Sequence, residues 1–225
     1  RELVESVHSS AAAMTTMLDD LLDLSRADAG RLELRIEDTS ICALVEDVAG
    51  MVGPVAQAKS LPLIAGVKAA VPDIIRTDPG RLRQVLLNLT SNAVKFSPTG
   101  AVTILADREG SDLVVRVSDT GPGMTPEAIT RAFEQYVQGG AEVNRAYGGA
   151  GLGLAIANKL TAALGGTITV HSRIGLGTTF AVRIPGAVVG PELSTTMTGI
   201  RAHLTGHHRA VPVVAAALER AGIEV

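Results

Sequence analysis

The sequence contains the stretch DPGRLRQVLLNLTSNAVKFS at residues 78–97, which predicts an amphipathic helix with an unusual polar face. Its apolar positions are spaced three or four apart, as on one side of a helix, and are Leu82, Val85, Leu86, Leu89, Ala93 and Val94. Asn88, Asn92 and Lys95 follow the same spacing and therefore share the other face. Amide oxygens beside an ammonium group suit Mg²⁺ bound to a polyphosphate. An ordinary hydrated helix face explains the same pattern, so this helix alone leaves both interpretations open.

Three glycine-rich motifs follow this helix along the chain. DTGPGM (119–124) comes after a predicted strand, where its carboxylate can accept a hydrogen bond from an exocyclic amine and its glycines admit a flat base. A tight Asx-type turn is the alternative. GGAGLGL (148–154) opens a predicted helix, whose free amide groups suit an anion, with residues 139–147 as a lid and Arg145 as a phosphate contact. GLGTTF (175–180) enters the last strand and is equally compatible with a plain hairpin.

Composition restricts the class of protein. With 46% hydrophobic and 19% charged residues in 225, the chain predicts one or two folded domains. Its uncharged apolar runs are shorter than the roughly 18 residues of a membrane helix, and no signal peptide precedes the charged first residues, so we expect no membrane contact. A net charge of −3 with 2% aromatic residues argues against nucleic-acid binding. The single cysteine, Cys42, excludes a disulfide framework and fits a cytoplasmic setting.

The pattern divides the chain into four parts. Residues 1–30 predict one helix with a bundle-type apolar seam, which needs a partner helix and so implies a homodimer or a preceding helix. Residues 31–185 predict an α/β domain, a two-layer sandwich of helices on a mixed, largely antiparallel sheet. Residues 186–199 are rich in Gly, Pro, Ser and Thr and predict a linker. Residues 200–225 predict the strand and helix that open a further α/β domain.

The α/β domain is predicted to contain seven strands and four helices. The first three helices begin at about residues 40, 78 and 125, and the fourth spans residues 152–164. The strands are placed at residues 31–37, 61–67, 74–77, 101–107, 113–118, 167–172 and 178–184.

Several common nucleotide-binding and catalytic motifs are absent from the sequence. It has no P-loop, no GxGxxG after a strand and no GxSxG elbow, which argues against P-loop, dinucleotide-binding and serine-hydrolase chemistry.

Taken together, the motifs at 78–97, 119–124, 133–136, 148–154 and 175–180 resemble the ATP-binding catalytic domain of bacterial sensor histidine kinases. This domain is part of the wider Bergerat-fold class, which includes Hsp90, type II topoisomerase and MutL ATPases. The motifs stand in the family's order over about residues 31–185. The stretch 17–30 is similar to the second helix of the family's dimerisation and phosphoacceptor hairpin, which the other Bergerat ATPases lack.

The resemblance implies a binding site for ATP and Mg²⁺. Asn92 is expected to ligate Mg²⁺, with Asn88 close to the metal, and Lys95 is expected to contact phosphate. Asp119 is expected to bind the adenine amino group, with Gly121 and Gly123 near the base. The same motifs supply the remaining expected nucleotide contacts, which are Phe96, Gly149, Gly151, Leu152, Gly153 and Thr178.

Two departures from the family pattern stand out. The phosphoacceptor box, a His followed by an acidic residue and Arg-x-Pro, does not occur, and His8 is followed by Ser9 instead. No catalytic residue is therefore predicted within the chain. Residues 200–225 are similar to the start of a receiver domain, which has an acidic pair directly after its first strand, but here Leu204 is followed by Thr205, Gly206, His207 and His208. This part is therefore expected to be a degenerate, regulatory receiver-like domain.

The resemblance implies an ATP-dependent histidine kinase core of a two-component hybrid kinase, which transfers the γ-phosphoryl group to a histidine not present in this chain. Its expected partners are a second copy, through the leading helix, and a downstream receiver or phosphotransfer protein. A non-catalytic nucleotide-binding signalling scaffold is the alternative, motivated by the two departures. An Hsp90- or topoisomerase-like ATPase is a third hypothesis, against which the leading helix argues.

Overall fold

The structure is a computed structural model, and it describes residues 22, 32–134, 152–188 and 200–205. The elements in chain order are β1 (Glu37–Ser40), α1 (Ile41–Ala58), β2 (Leu63–Lys68), β3 (Ile74–Thr77), α2 (Pro79–Phe96), β4 (Val102–Glu109), β5 (Asp112–Asp119), α3 (Pro126–Arg131), α4 (Gly153–Ala163), β6 (Thr167–Arg173), β7 (Gly177–Ile184) and β8 (Ile200–Thr205). The predicted α/β class is confirmed. Predicted elements at 1–30, 206–225 and the loop at 139–151 lie outside the described residues, apart from Leu22, which is helical.

The main sheet has six described strands in the order β6-β7-β5-β4-β2-β8. Only β2 and β4 pair in parallel, and the other neighbours are antiparallel. Strands β1 and β3 form a separate antiparallel pair. The mixed, largely antiparallel sheet expected from the sequence is therefore confirmed.

The helix layer packs on the sheet through the apolar face of α2. The six apolar positions predicted from spacing are all buried, and Leu82, Val85, Leu86 and Leu89 are fully inaccessible to solvent. They join one core with inward-facing residues of the sheet and with residues of α1 and α4. The burial of one face leaves the opposite, polar face of α2 directed away from the core, which fixes where its asparagines lie.

Helix α2 begins at a buried cap. The Asp78 carboxylate accepts one hydrogen bond from the Arg81 amide (3.0 Å) and a second from the Arg35 amide (2.8 Å). Asp78 is only 6% exposed. This contact ties the segment before β1 to the start of α2, although the two are distant in sequence.

The strand predicted at residues 31–37 is wrong. The strand lies later, at Glu37–Ser40, and pairs with β3 in the register Glu37–Thr77. Residues 32–36 have no regular structure. Alternating polarity predicted a strand here, but the Arg35 amide donates to Asp78 and is not available to a neighbouring strand.

The packing of the domain continues past the predicted end at residue 185. Ala187 and Val188 are 2% and 4% exposed and belong to the core. Ala187 accepts a hydrogen bond from the Arg76 amide, and the Val188 amide donates to the Ser111 carbonyl. Strand β8 then pairs with β2 from Lys68–Ile200 to Leu63–Thr205, at the edge of the main sheet. Whether residues 200–225 begin a receiver-like domain stays a prediction.

Among the described residues, α1 is the one helix with the length and composition that could cross a membrane. Seven of its residues are buried, and it packs against α2 and β2. That burial is expected of a core helix in an α/β domain, so length and composition are weak support for a membrane segment.

We expect the Asp78 cap to contribute measurably to stability. Asp78→Ala removes the acceptor for two amides, one of them in a segment distant in sequence, and should lower the free energy of unfolding by about 2 kcal/mol. Urea unfolding followed by circular dichroism measures this. The matched control is Thr125→Ala, which removes the cap of the short, exposed helix α3 and should lower it by about 0.5–1 kcal/mol. Equal effects would contradict the proposed tie between Arg35 and α2.

Candidate functional site

The centre of the candidate site is the carboxylate of Asp119, at the end of β5. Its Oδ1 accepts hydrogen bonds from the amides of Gly121 (2.8 Å) and Thr178 (3.3 Å). Burial raises the pKa of Asp119, and the two hydrogen bonds oppose that rise. Both of these bonds from described residues reach the same oxygen. The geometry therefore presents Oδ2 as an acceptor for a further donor.

The glycines of the 119–124 motif make room for neighbouring parts of the protein. A Cβ atom built on Gly121 would lie 2.9 Å from Asp119 Oδ1 and 3.0 Å from the Phe96 carbonyl oxygen. Gly123 has φ +70°, and a Cβ atom there would overlap the Arg173 carbonyl group of the β6–β7 hairpin. The motif therefore lies between the end of α2 and that hairpin, and a larger residue would separate them.

Ser172 joins the motif to the β6–β7 hairpin and was missed in the sequence analysis. Its hydroxyl accepts from the Met124 amide (2.8 Å), lies 3.0 Å from the Gly177 carbonyl oxygen and is 2.9 Å from the Thr178 hydroxyl. Ser172 and Thr178 are also partners in the β6–β7 register. The contact with Met124 joins residues 48 apart in the sequence, so no local pattern indicates it. The predicted hairpin indicates only that Ser172 lies opposite Thr178.

The polar face of α2 borders the start of α4. A Cβ atom built on Gly153, the first residue of α4, would lie 3.6 Å from Asn88 Oδ1. The Asn88 Nδ2 atom is buried and has no hydrogen-bond partner among the described residues. Asn92 lies one turn further along α2 and is partly exposed. The structure therefore brings the asparagine face of α2 together with Gly153, which belongs to the described part of the 148–154 motif.

Lys95 and Phe96 occupy the last turn of α2. Lys95 Nζ lies 5.0 Å from the centre of the Phe96 ring, within the range of a cation–π contact. Burial lowers the pKa of Lys95, and the positive charge of Lys59 lowers it further. A partly buried ammonium group at this position is suited to an anionic ligand.

Ser97, directly after α2, adds a polar group that the sequence analysis did not select. It is fully buried, and its hydroxyl has no partner among the described residues. A Cβ atom on Gly121 would lie 3.2 Å from that hydroxyl and 2.9 Å from Asp119 Oδ1. Leaving a buried polar group unpaired is unfavourable by about 1–3 kcal/mol, so a ligand or an ordered water molecule is expected to satisfy it.

The remaining predicted site residues divide into two groups. Leu152 is 7% exposed and precedes α4, and Thr178 is 8% exposed beside Asp119. Arg145, Gly149 and Gly151 lie outside the described residues. The predicted lid and its phosphate contacts therefore stay predictions.

No cluster of three or more His, Cys, Asp or Glu side chains is arranged to hold a metal ion in the part of the chain that the structure describes. A metal at this site would therefore depend on amide oxygens, such as those of Asn88 and Asn92, and on oxygens of its ligand. That donor set fits Mg²⁺, which keeps several waters and commonly binds through substrate phosphates.

Comparison with known proteins gives a consistent result. Residues 77–188 match the family described as histidine kinase-, DNA gyrase B- and HSP90-like ATPase. The circadian input-output histidine kinase CikA of Synechococcus elongatus is 34% identical over 100% of this chain. The sensor histidine kinase RcsC of Escherichia coli is 35% identical over 81% of it.

Solved structures resemble the fold as well. Full-length ShkA in complex with AMPPNP has a TM-score of 0.75 and 36% identity, covering 86% of this chain and 40% of that one. The Acinetobacter baumannii histidine kinase AdeS has a TM-score of 0.69 and 23% identity, covering 82% and 84%. The chain spans only 31% of CikA and 19% of RcsC.

We expect Gly123 to be required for packing of the site. Gly123→Ala combines left-handed backbone strain with overlap of the Arg173 carbonyl group, whereas Gly110→Ala has the same strain at φ +64° with no atom within 4 Å. Both substitutions should lower the free energy of unfolding by about 1 kcal/mol through strain, and Gly123→Ala by about 2 kcal/mol more through overlap. Thermal and urea unfolding of the two variants measures the difference. Equal losses would show that the hairpin does not confine the motif.

Proposed function

Because residues 77–188 form a domain of the histidine kinase-, DNA gyrase B- and HSP90-like ATPase family, we propose that the chain is the ATP-binding kinase core of a hybrid sensor histidine kinase. The observation that carries the proposal is that the end of α2 lies beside Asp119, since a Cβ atom built on Gly121 would lie 2.9 Å from Asp119 Oδ1 and 3.0 Å from the Phe96 carbonyl oxygen. The half-buried Asp119 carboxylate has both of its described hydrogen bonds on Oδ1, and Asn88, Asn92 and Lys95 lie on the polar face of α2. A nucleotide has the matching order of base and phosphates.

The base is assigned to the Asp119 end. The Asp119 carboxylate accepts a hydrogen bond from the exocyclic amine of adenine, and the buried Ser97 hydroxyl provides a further polar contact, directly or through water. The carboxylate is held in place by hydrogen bonds from the amides of Gly121 and Thr178, and Gly123 allows close approach of the β6–β7 hairpin. An unpaired hydroxyl beside a half-buried carboxylate is the arrangement that a polar, flat ligand would complete.

The phosphates are assigned to the polar face of α2. Asn92 and Asn88 would hold Mg²⁺, which neutralises charge on the phosphate oxygens when bound. Lys95 contacts phosphate, and the start of α4 from Leu152 to Gly153 offers backbone amides. Arg145, Gly149 and Gly151 are proposed to add contacts from the lid. The contribution of these residues is positioning and charge neutralisation.

In the proposed reaction an imidazole nitrogen of the acceptor histidine forms a bond to the γ-phosphorus while the bond to the bridging oxygen of ADP breaks. The acceptor lies on the dimerisation hairpin of the whole protein, and residues 1–30 are assigned to the second helix of that hairpin. We propose a cytoplasmic homodimer that passes the phosphoryl group to a receiver or phosphotransfer protein. The similarity to the histidine kinases CikA and RcsC supports this assignment.

Asp119→Ala should weaken binding of Mg²⁺-ATP by about 100-fold, because it removes a charge-assisted hydrogen bond in a buried site. Isothermal titration calorimetry of the 225-residue chain measures the affinity. Asp112→Asn is the matched control, since Asp112 lies at the opposite end of β5 and is paired with Arg183. Undiminished binding by Asp119→Ala would overturn the assignment of the base.

The same site should respond to pH. The ionised form of Asp119 accepts the hydrogen bond, and burial raises its pKa above the ordinary value. Affinity for adenosine, which carries the adenine amine but no titrating phosphate, should therefore be highest above that raised pKa. It should fall as the pH decreases through that pKa, at a higher pH than for an exposed aspartate. The affinity of the wild-type chain for adenosine, measured from pH 7 downward to about pH 4, checks the direction. Constant affinity over this range would contradict it.

Asn92→Ala should remove most of the gain in ATP affinity that Mg²⁺ provides, because it deletes an amide oxygen expected to ligate the metal. Titrations with and without Mg²⁺ measure this gain as a ratio of affinities. The control is Ser91→Ala, an exposed neighbour on the same helix. If Asn92→Ala keeps the wild-type ratio, Asn92 is not a ligand.

A further inference from the structure

Lys59 reaches across from the end of α1 to the end of α2. Its Nζ atom donates to the carbonyl oxygens of Val94 (2.8 Å) and Lys95 (2.9 Å), and the side chain is partly buried. Lys59 is itself the residue that ends α1. One ammonium group therefore connects the C-terminal ends of two packed helices.

These contacts satisfy a structural need at the end of α2. The last carbonyl groups of a helix have no partner within it, and they carry the negative end of the helix dipole. The Ser97 amide bonds only to the Ala93 carbonyl, and Lys59 takes the next two. The turn fixed in this way contains Lys95 and Phe96 and leads directly into the buried Ser97.

Electrostatics favours a second role for the same charge. Burial lowers the pKa of Lys95, and the positive charge of the nearby Lys59 lowers it further. Two neighbouring, partly buried ammonium groups repel each other, and a bound polyanion offsets that repulsion.

We propose that Lys59 is a positioning residue for the phosphate end of the nucleotide site, which fixes the last turn of α2 and supplies a second positive charge behind Lys95. The inference rests on the proposed binding of ATP. Since Lys59 acts through α2, its effect should depend on the phosphates of the ligand and be small for the nucleoside alone.

The test compares Mg²⁺-ATP with adenosine as probes in calorimetric titrations of the 225-residue chain. Lys59→Met should weaken Mg²⁺-ATP binding about tenfold and adenosine binding less than about twofold, and it should reduce the salt dependence of ATP affinity. Lys59→Arg keeps the charge and the donors, so it should restore most of the ATP affinity. Lys68→Met, which removes the same charge from the far edge of β2 where Lys68 pairs with Asp107, should change neither affinity.

The outcomes separate this inference from the one on which it rests. If the wild-type chain binds ATP and Lys59→Met matches Lys68→Met, Lys59 has no part in phosphate binding and the inference is wrong. Equal losses for ATP and adenosine would show a purely structural role, which also overturns it. Should Lys59→Met fail to fold, Lys59→Gln with the same two probes takes its place. A wild-type chain that binds neither probe would contradict the proposed function itself, and this inference with it.

Discussion

The site depends on how helix α2 is held. Its apolar face is sealed in the core, with four leucine and valine side chains fully inaccessible. Contacts with distant segments hold both of its ends, since the Asp78 cap accepts a hydrogen bond from the Arg35 backbone amide at the start and the Lys59 side chain donates to two carbonyl groups at the end. Because this helix can neither rotate about its axis nor shift at its ends, it presents Asn88, Asn92 and Lys95 in a constant geometry. Preorganisation of this kind is what binding of a metal and phosphates requires.

The parts of the fold that local pattern determines were predictable. Periodicity placed α2 and the β4–β5 and β6–β7 hairpins, because buried faces repeat at the spacing of a helix or a strand. Long-range hydrogen bonds were not predictable from such patterns. The Arg35 amide donates to Asp78 and not to a neighbouring strand, and the first strand lies at 37–40, whereas the sequence predicted it at 31–37. Ser172 and Lys59 act over 48 and 35 residues of sequence, and no local spacing indicates their partners.

For the site, residue type predicted chemistry better than it predicted contact. Asp119 was selected as an acceptor, and the structure places it at a strand end with both described hydrogen bonds on one oxygen. The glycines beside it were expected to admit a base, yet Gly123 first of all admits the backbone of Arg173. A glycine motif in sequence shows that something approaches closely, but only the fold shows whether that is a ligand or the protein itself.

The two ends of the sheet differ in how their polar groups are satisfied. At the β4–β5 turn, Arg116 and Arg183 hold Glu109 and Asp112 in a network of ion pairs, which lowers the pKa of both carboxyl groups. At the other end, burial raises the pKa of Asp119, while the Ser97 hydroxyl lacks a partner among the described residues. A buried polar group without a partner lowers stability, so a ligand or an ordered water molecule is expected to satisfy it. This asymmetry supports the proposed position of the binding site at that end of the sheet.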